Sequence, residues 1–63
     1  MTPEQCRIAR KKLKWSIDKL ATQAGMATQT VGNYERRKTG TSEQTIMSIR
    51  RAFLRAGVEV DEL

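Results

Sequence analysis

Residues 17–36 read IDKLATQAGMATQTVGNYER, and their pattern decides the fold. Leu20, Ala24, Met26, Val31 and Tyr34 are the apolar positions. They predict two short helices joined by a turn of about three residues centred on Gly25. Ala21 is small where the two helices must cross closely. Gly25 permits the sharp bend that sets them at roughly 90–120°. Five apolar positions, one small residue and one glycine must all agree for this reading. An ordinary helical hairpin is the alternative.

The flanking sequence adds a helix on each side. Thr2-Pro3-Glu4-Gln5 supplies a cap, a proline suited to a first helical position and the partner of a capping box. Cys6, Ala9 and Leu13 then form a narrow apolar face, with Arg7, Lys11, Lys12 and Lys14 largely off it. The second helix starts at Ser16, with Asp18 in its first turn, where the helix dipole favours an anion. Its inner face is Leu20, Ala21 and Ala24. Thr28 is the expected cap of the third helix, whose inner face is Val31 and Tyr34. Residues 36–40 read as a basic loop. Ser42, or Thr41 with Gln44, starts a fourth helix with the inner row Ile46, Ile49 and Phe53, and Gly57 stops it. Only Val58-Glu59-Val60 alternates like a strand. The expected fold is all-α: one domain over residues 1–63, a bundle of four to five short helices.

Composition narrows the function. Sixty-three residues make one small domain of marginal stability, with oligomerisation as its remaining support. One cysteine and no histidine exclude an internal disulfide and supply no zinc ligand set. A lone thiol fits a reducing, cytoplasmic setting. No apolar run exceeds four residues, which excludes a membrane-spanning helix and the apolar region of a signal peptide. Without histidine or a buried carboxylate pair, catalysis is poorly supplied. No cofactor, metal or membrane is expected. Twelve Lys/Arg against seven Asp/Glu give +5, and three of the acids lie in the last five residues. The charge suits nucleic acid, an acidic protein or an anionic surface.

Residues 17–36 are thus a helix-turn-helix pattern, and the sequence resembles the phage repressor and Cro-like helix-turn-helix family. Arg10, Trp15-Ser16, Leu20-Ala21, Gly25-Met26, Val31, Tyr34-Glu35 and residues 46–53 carry the resemblance, which covers about residues 6–56. It implies a lambda-repressor-like bundle that binds double-stranded operator DNA as a homodimer. The second motif helix, about residues 28–36, would enter the major groove. The expected function is a sequence-specific transcriptional regulator, a repressor of phage or bacterial type. A protein-interaction module or an antitoxin that retains the fold is the alternative.

The residues themselves agree. With Val31 and Tyr34 turned inward, Thr28, Gln29, Gly32 and Asn33 project from the opposite side. Gln and Asn carry paired donor and acceptor atoms that match adenine N6 and N7. Thr28 and Thr30 can touch a thymine methyl or a phosphate. The family's base-reading positions map onto Thr28, Gln29 and Asn33. Gly32 either allows close approach to DNA or is a tolerated weakness in the helix. Arg36, Arg37 and Lys38 follow the recognition helix and suit phosphate contact, with Ser16 and Thr39 completing that set. A solvated loop is the alternative for the basic cluster. The resemblance implies that Arg10 and Glu35 pair across the fold, tying helix 1 to the end of helix 3. Cys6 reads as a small core hydrophobe and Trp15 as a packing residue.

Three departures from the family pattern stand out. Ile17 replaces a phosphate-contacting Gln, which favours the interaction-module alternative. Lys14 and Arg37 replace Gly, so those turns are expected to differ in shape. On helix 4, Met47 and Leu54 share a second face, which Val58 extends and Arg50 and Arg51 flank. A self-complementary stripe there predicts a two-fold dimer and an operator with half-sites about 10 bp apart.

Overall fold

A computed structural model describes residues 1–36 and 41–63. Those residues form α1 (Pro3–Lys12), α2 (Ile17–Ala24), α3 (Thr28–Glu35) and α4 (Glu43–Arg55), followed by a 3₁₀ turn over Val60–Glu62. The helix starts follow from local chemistry. Thr2 Oγ1 accepts from the Gln5 amide at 3.1 Å, and Gln5 Oε1 accepts from the Thr2 amide at 2.9 Å. This is the reciprocal pairing that satisfies two otherwise unpaired donors. Ser16 caps α2 by accepting from the Lys19 amide, and Ser42 caps α4 by accepting from the Thr45 amide. The third start departs from expectation. Ala27 is the cap of α3 and has no side-chain bond, while Thr28 is already helical.

Two sharp connections share one geometry. At Gly25 (φ 73°), the Gly25 amide donates to Thr22 O and the Met26 amide to Ala21 O. At Lys14 (φ 58°), the Lys14 amide donates to Lys11 O and the Trp15 amide to Arg10 O. Both are helix ends closed by one left-handed residue. The turn at Lys14 therefore keeps the shape a glycine would give it, contrary to the expected change. The lysine adopts a conformation its Cβ disfavours.

One core joins the four helices. Cys6, Ala9, Leu20, Ala21, Val31, Tyr34, Ile49, Ala52, Phe53 and Val60 are buried. Burial of a side chain the size of Phe53 or Leu20 contributes roughly 1.5–3 kcal/mol. Leu13, Ala24 and Ile46, expected on inner faces, are half-buried against this cluster. Trp15 stacks on Phe53 with ring centroids 5.9 Å apart, so it packs. Ile17 also packs against the core. The strand-like alternation of Val58-Glu59-Val60 is not realised as a strand. Val60 opens the 3₁₀ turn and is fully buried where that turn meets α1 and α4. Asp61 beside it accepts from the Met1 amino group at 2.8 Å and from Arg50 Nε at 2.7 Å. Gln5 Nε2 donates to the carbonyls of Asp61 and Leu63.

Candidate nucleic-acid interface

The inner side of α3 is committed to the fold. Val31, Tyr34 and Glu35 are buried. Glu35 would be costly there without partners. Arg10 supplies them through a two-point fork: Nε donates to Oε2 at 2.9 Å and NH2 to Oε1 at 3.0 Å. Arg10 NH1 also donates to Trp15 O, and Arg7 NH1 donates to the Glu35 carbonyl at 3.1 Å. The Cys6 thiol donates to Glu35 Oε2 at 3.5 Å. No buried side-chain nitrogen or oxygen among the described residues lacks a partner. The hydrogen bonds to Glu35, with its charge, hold the Arg10 guanidinium protonated beyond its usual range. Two arginines of α1 thus clamp the last residue of α3 and fix that helix's angle. Tyr34 adds a hydroxyl bond to Met1 O at 3.2 Å.

The opposite side of α3 faces solvent with Thr28 and Gln29 exposed and Thr30 and Asn33 half-buried. Thr28 Oγ1 donates to Asp18 Oδ1 at 2.7 Å, which joins the first turns of α2 and α3. Its hydroxyl proton is therefore engaged, leaving a methyl and an acceptor oxygen outward. Gln29 is exposed at the N-terminal end of α3. Arg36, next after α3, does not extend away. Its guanidinium lies over Gly32, and NH2 donates to Asn33 Oδ1 at 3.1 Å. Ser16 is exposed at the N-terminus of α2. Lys11, Lys12, Lys14 and Lys19 are exposed as well. Arg37, Lys38 and Thr39, expected at phosphates, lie outside the described residues. On α4, Met47, Arg51 and Leu54 are exposed and Val58 beyond it is half-buried.

An exposed polar helix face, held at a fixed angle by a buried ion pair and preceded by a second helix across a left-handed glycine, is a helix-turn-helix in three dimensions. A helix-turn-helix family model matches residues 7–55. The chain belongs to the Cro/C1-type helix-turn-helix family. This family consists of DNA-binding transcription regulators. No curated protein and no solved structure matches the chain. No helix among the described residues is long and apolar enough to cross a membrane.

Sequence reasoning missed two contributors to this helix-turn-helix site, and the seat of a third, Arg36, which it placed at a phosphate. Arg7 was read only as lying off the apolar face, yet it donates to the backbone at the end of α3. Asp18 was read for the helix dipole alone, and no signal in the sequence pairs it with Thr28. The signal for Arg36 was present in Gly32, which stands four residues earlier on the same helical face.

Proposed function

We propose that the chain is a sequence-specific, double-stranded DNA-binding transcriptional repressor that binds an inverted-repeat operator as a homodimer. The exposed polar face of α3, held rigid by the Arg10–Glu35 fork, carries this reading. Side chains that read bases need a backbone that does not rock. Gln29 is the principal base-reading residue, with Asn33, Thr28 and Thr30 beside it. Ser16 contacts phosphate, as do Arg37, Lys38 and Thr39, and the net charge of +5 draws the chain to DNA. Met47, Arg51, Leu54 and Val58 form the two-fold interface. A buried free thiol suits a reducing cytoplasm. Ile17 was the residue favouring an interaction module, and its packing against the core gives that alternative no support.

Selection of bound duplexes from a random library, followed by sequencing, is the direct test. The expected product is one approximate inverted repeat, bound with steep salt dependence. Equal affinity for all duplexes would reject the proposal. Gln29→Ala is expected to cost about 1–3 kcal/mol on the selected site and to relax one base position. Equal weakening on selected and random duplexes would remove Gln29 from the base-reading set.

A further inference from the structure

The outward side of α3 contains a notch. Gly32 sits in mid-helix, where glycine costs about 1 kcal/mol relative to alanine. A Cβ at that position would lie 3.1 Å from Arg36 NH1, 3.3 Å from NH2 and 3.5 Å from Cζ. The three distances are similar, so the NH1–Cζ–NH2 edge lies across the space that a side chain would fill. Gly32 is buried while Arg36 is exposed, because the guanidinium covers the glycine. Asn33 Oδ1 anchors the same group by accepting from NH2 at 3.1 Å. The arginine side chain therefore folds back one turn, from the end of the helix to the middle of its outward face.

This position differs from that of a phosphate contact. Phosphates line the edges of the major groove, and base edges are met by the N-terminal part of a recognition helix, towards which the fold-back carries the Arg36 guanidinium by one turn. Arginine carries five N–H donors in a rigid fork and no acceptor. The bond to Asn33 engages one donor of NH2, so the fork keeps further donors for an acceptor pair. Guanine presents two adjacent acceptors in the major groove, N7 and O6, whereas adenine pairs an acceptor with a donor. We propose that Arg36, seated on the Gly32 notch and held by Asn33, is a specificity-determining residue that reads one guanine in each half-site. This assignment rests on the DNA-binding function proposed above. It moves Arg36 from the phosphate set to the base-reading set and gives Gly32 a reason beyond tolerance.

Random-library selection repeated with Arg36→Lys, Arg36→Ala and Gly32→Ala tests it, with circular dichroism confirming that each variant folds. The wild-type motif is expected to contain a guanine that Arg36→Lys no longer enriches. On a duplex carrying that guanine, Arg36→Lys is expected to bind about 5- to 150-fold more weakly. Its loss on random DNA is expected to be much smaller than on that duplex, because lysine keeps the charge and loses only the fork. Gly32→Ala is expected to weaken the same preference without lowering the melting temperature. Arg36→Lys keeping every guanine in the motif overturns the assignment. So does Arg36→Ala weakening all duplexes alike while the salt slope falls by about one, the signature of a phosphate contact. A wild-type motif without guanine overturns this assignment alone. A wild-type chain that selects no motif overturns the proposed function with it.

Discussion

The Cys6 thiol is fully buried and 3.5 Å from the Glu35 carboxylate. Burial, then the nearby negative charge, pushes its pKa from 9.0 up to about 12. The folded protein therefore keeps the proton through a range in which the unfolded chain loses it. The thiol's contribution to stability is complete below about pH 9 and declines as pH rises towards about 12. Denaturant titrations of wild type and Cys6→Ala across that range are expected to show a difference in stability that shrinks with pH. A constant difference would mean that the thiol titrates alike in both states. The same burial makes the thiol slow to react with a disulfide reagent at neutral pH until the protein unfolds. Cys6 was legible in the sequence as a small core residue at its helical spacing. Its bond to a residue 29 positions away was not, because nothing local to either residue records the other.

Among the helices, caps were the most legible feature, since their partners lie three residues away in the chain. Thr2 with Gln5, Ser16, Gly25 and Ser42 act where the sequence puts them. Two elements were not legible. Thr28 has the chemistry of a cap, but its hydroxyl is drawn to Asp18 on another helix. Val60 is apolar in an acidic tail, and only the hollow between α1 and α4 gives it a reason to be buried. The turn at Lys14 offers a test. A left-handed residue with a Cβ costs roughly 1–2 kcal/mol, partly offset by the greater unfolded-state freedom of glycine. Lys14→Gly is expected to stabilise the fold by about 1 kcal/mol, raising the melting temperature by roughly 4–8 °C. A lower melting temperature would show that the lysine side chain holds the turn by other means. The α1–α3 clamp is the larger effect. Arg10→Met is expected to cost about 3–5 kcal/mol by leaving Glu35 buried and unpaired. Arg10→Met combined with Glu35→Leu is expected to regain part of that loss. Additive losses in the double variant would mean that the two side chains do not meet in solution.

For the whole molecule, size and the second face of α4 set the expectation. The described residues span 27 × 21 × 17 Å, and in the proposed function each copy places one helix, α3, in one major groove. Successive major grooves are about 34 Å apart, so an inverted repeat takes two copies. Met47 and Leu54 are 43% and 38% exposed, large values for apolar side chains two turns apart on one helix. Sedimentation of Leu54→Glu is expected to show a monomer that binds a half-site and loses cooperative binding to the full operator. A wild-type protein that stays monomeric free and on its operator, or a Leu54→Glu variant that still dimerises, would reject the interface. The stripe itself was legible as apolar residues left over once the core was assigned.

The two sides of α3 divide their duties within eight residues. Val31, Tyr34 and Glu35 answer only to the rest of the fold, and Gln29 and Asn33 face away from it, with Arg36 just beyond. Asn33 and Arg36 bond to one another at the surface, where substitution changes stability little. Mutation can therefore rewrite the outward letters of the helix while the inward ones stay fixed. Under the proposed base-reading role, a duplicated copy of such a domain can acquire a new address on the genome without first becoming less stable, and each step between the two addresses passes through a folded protein.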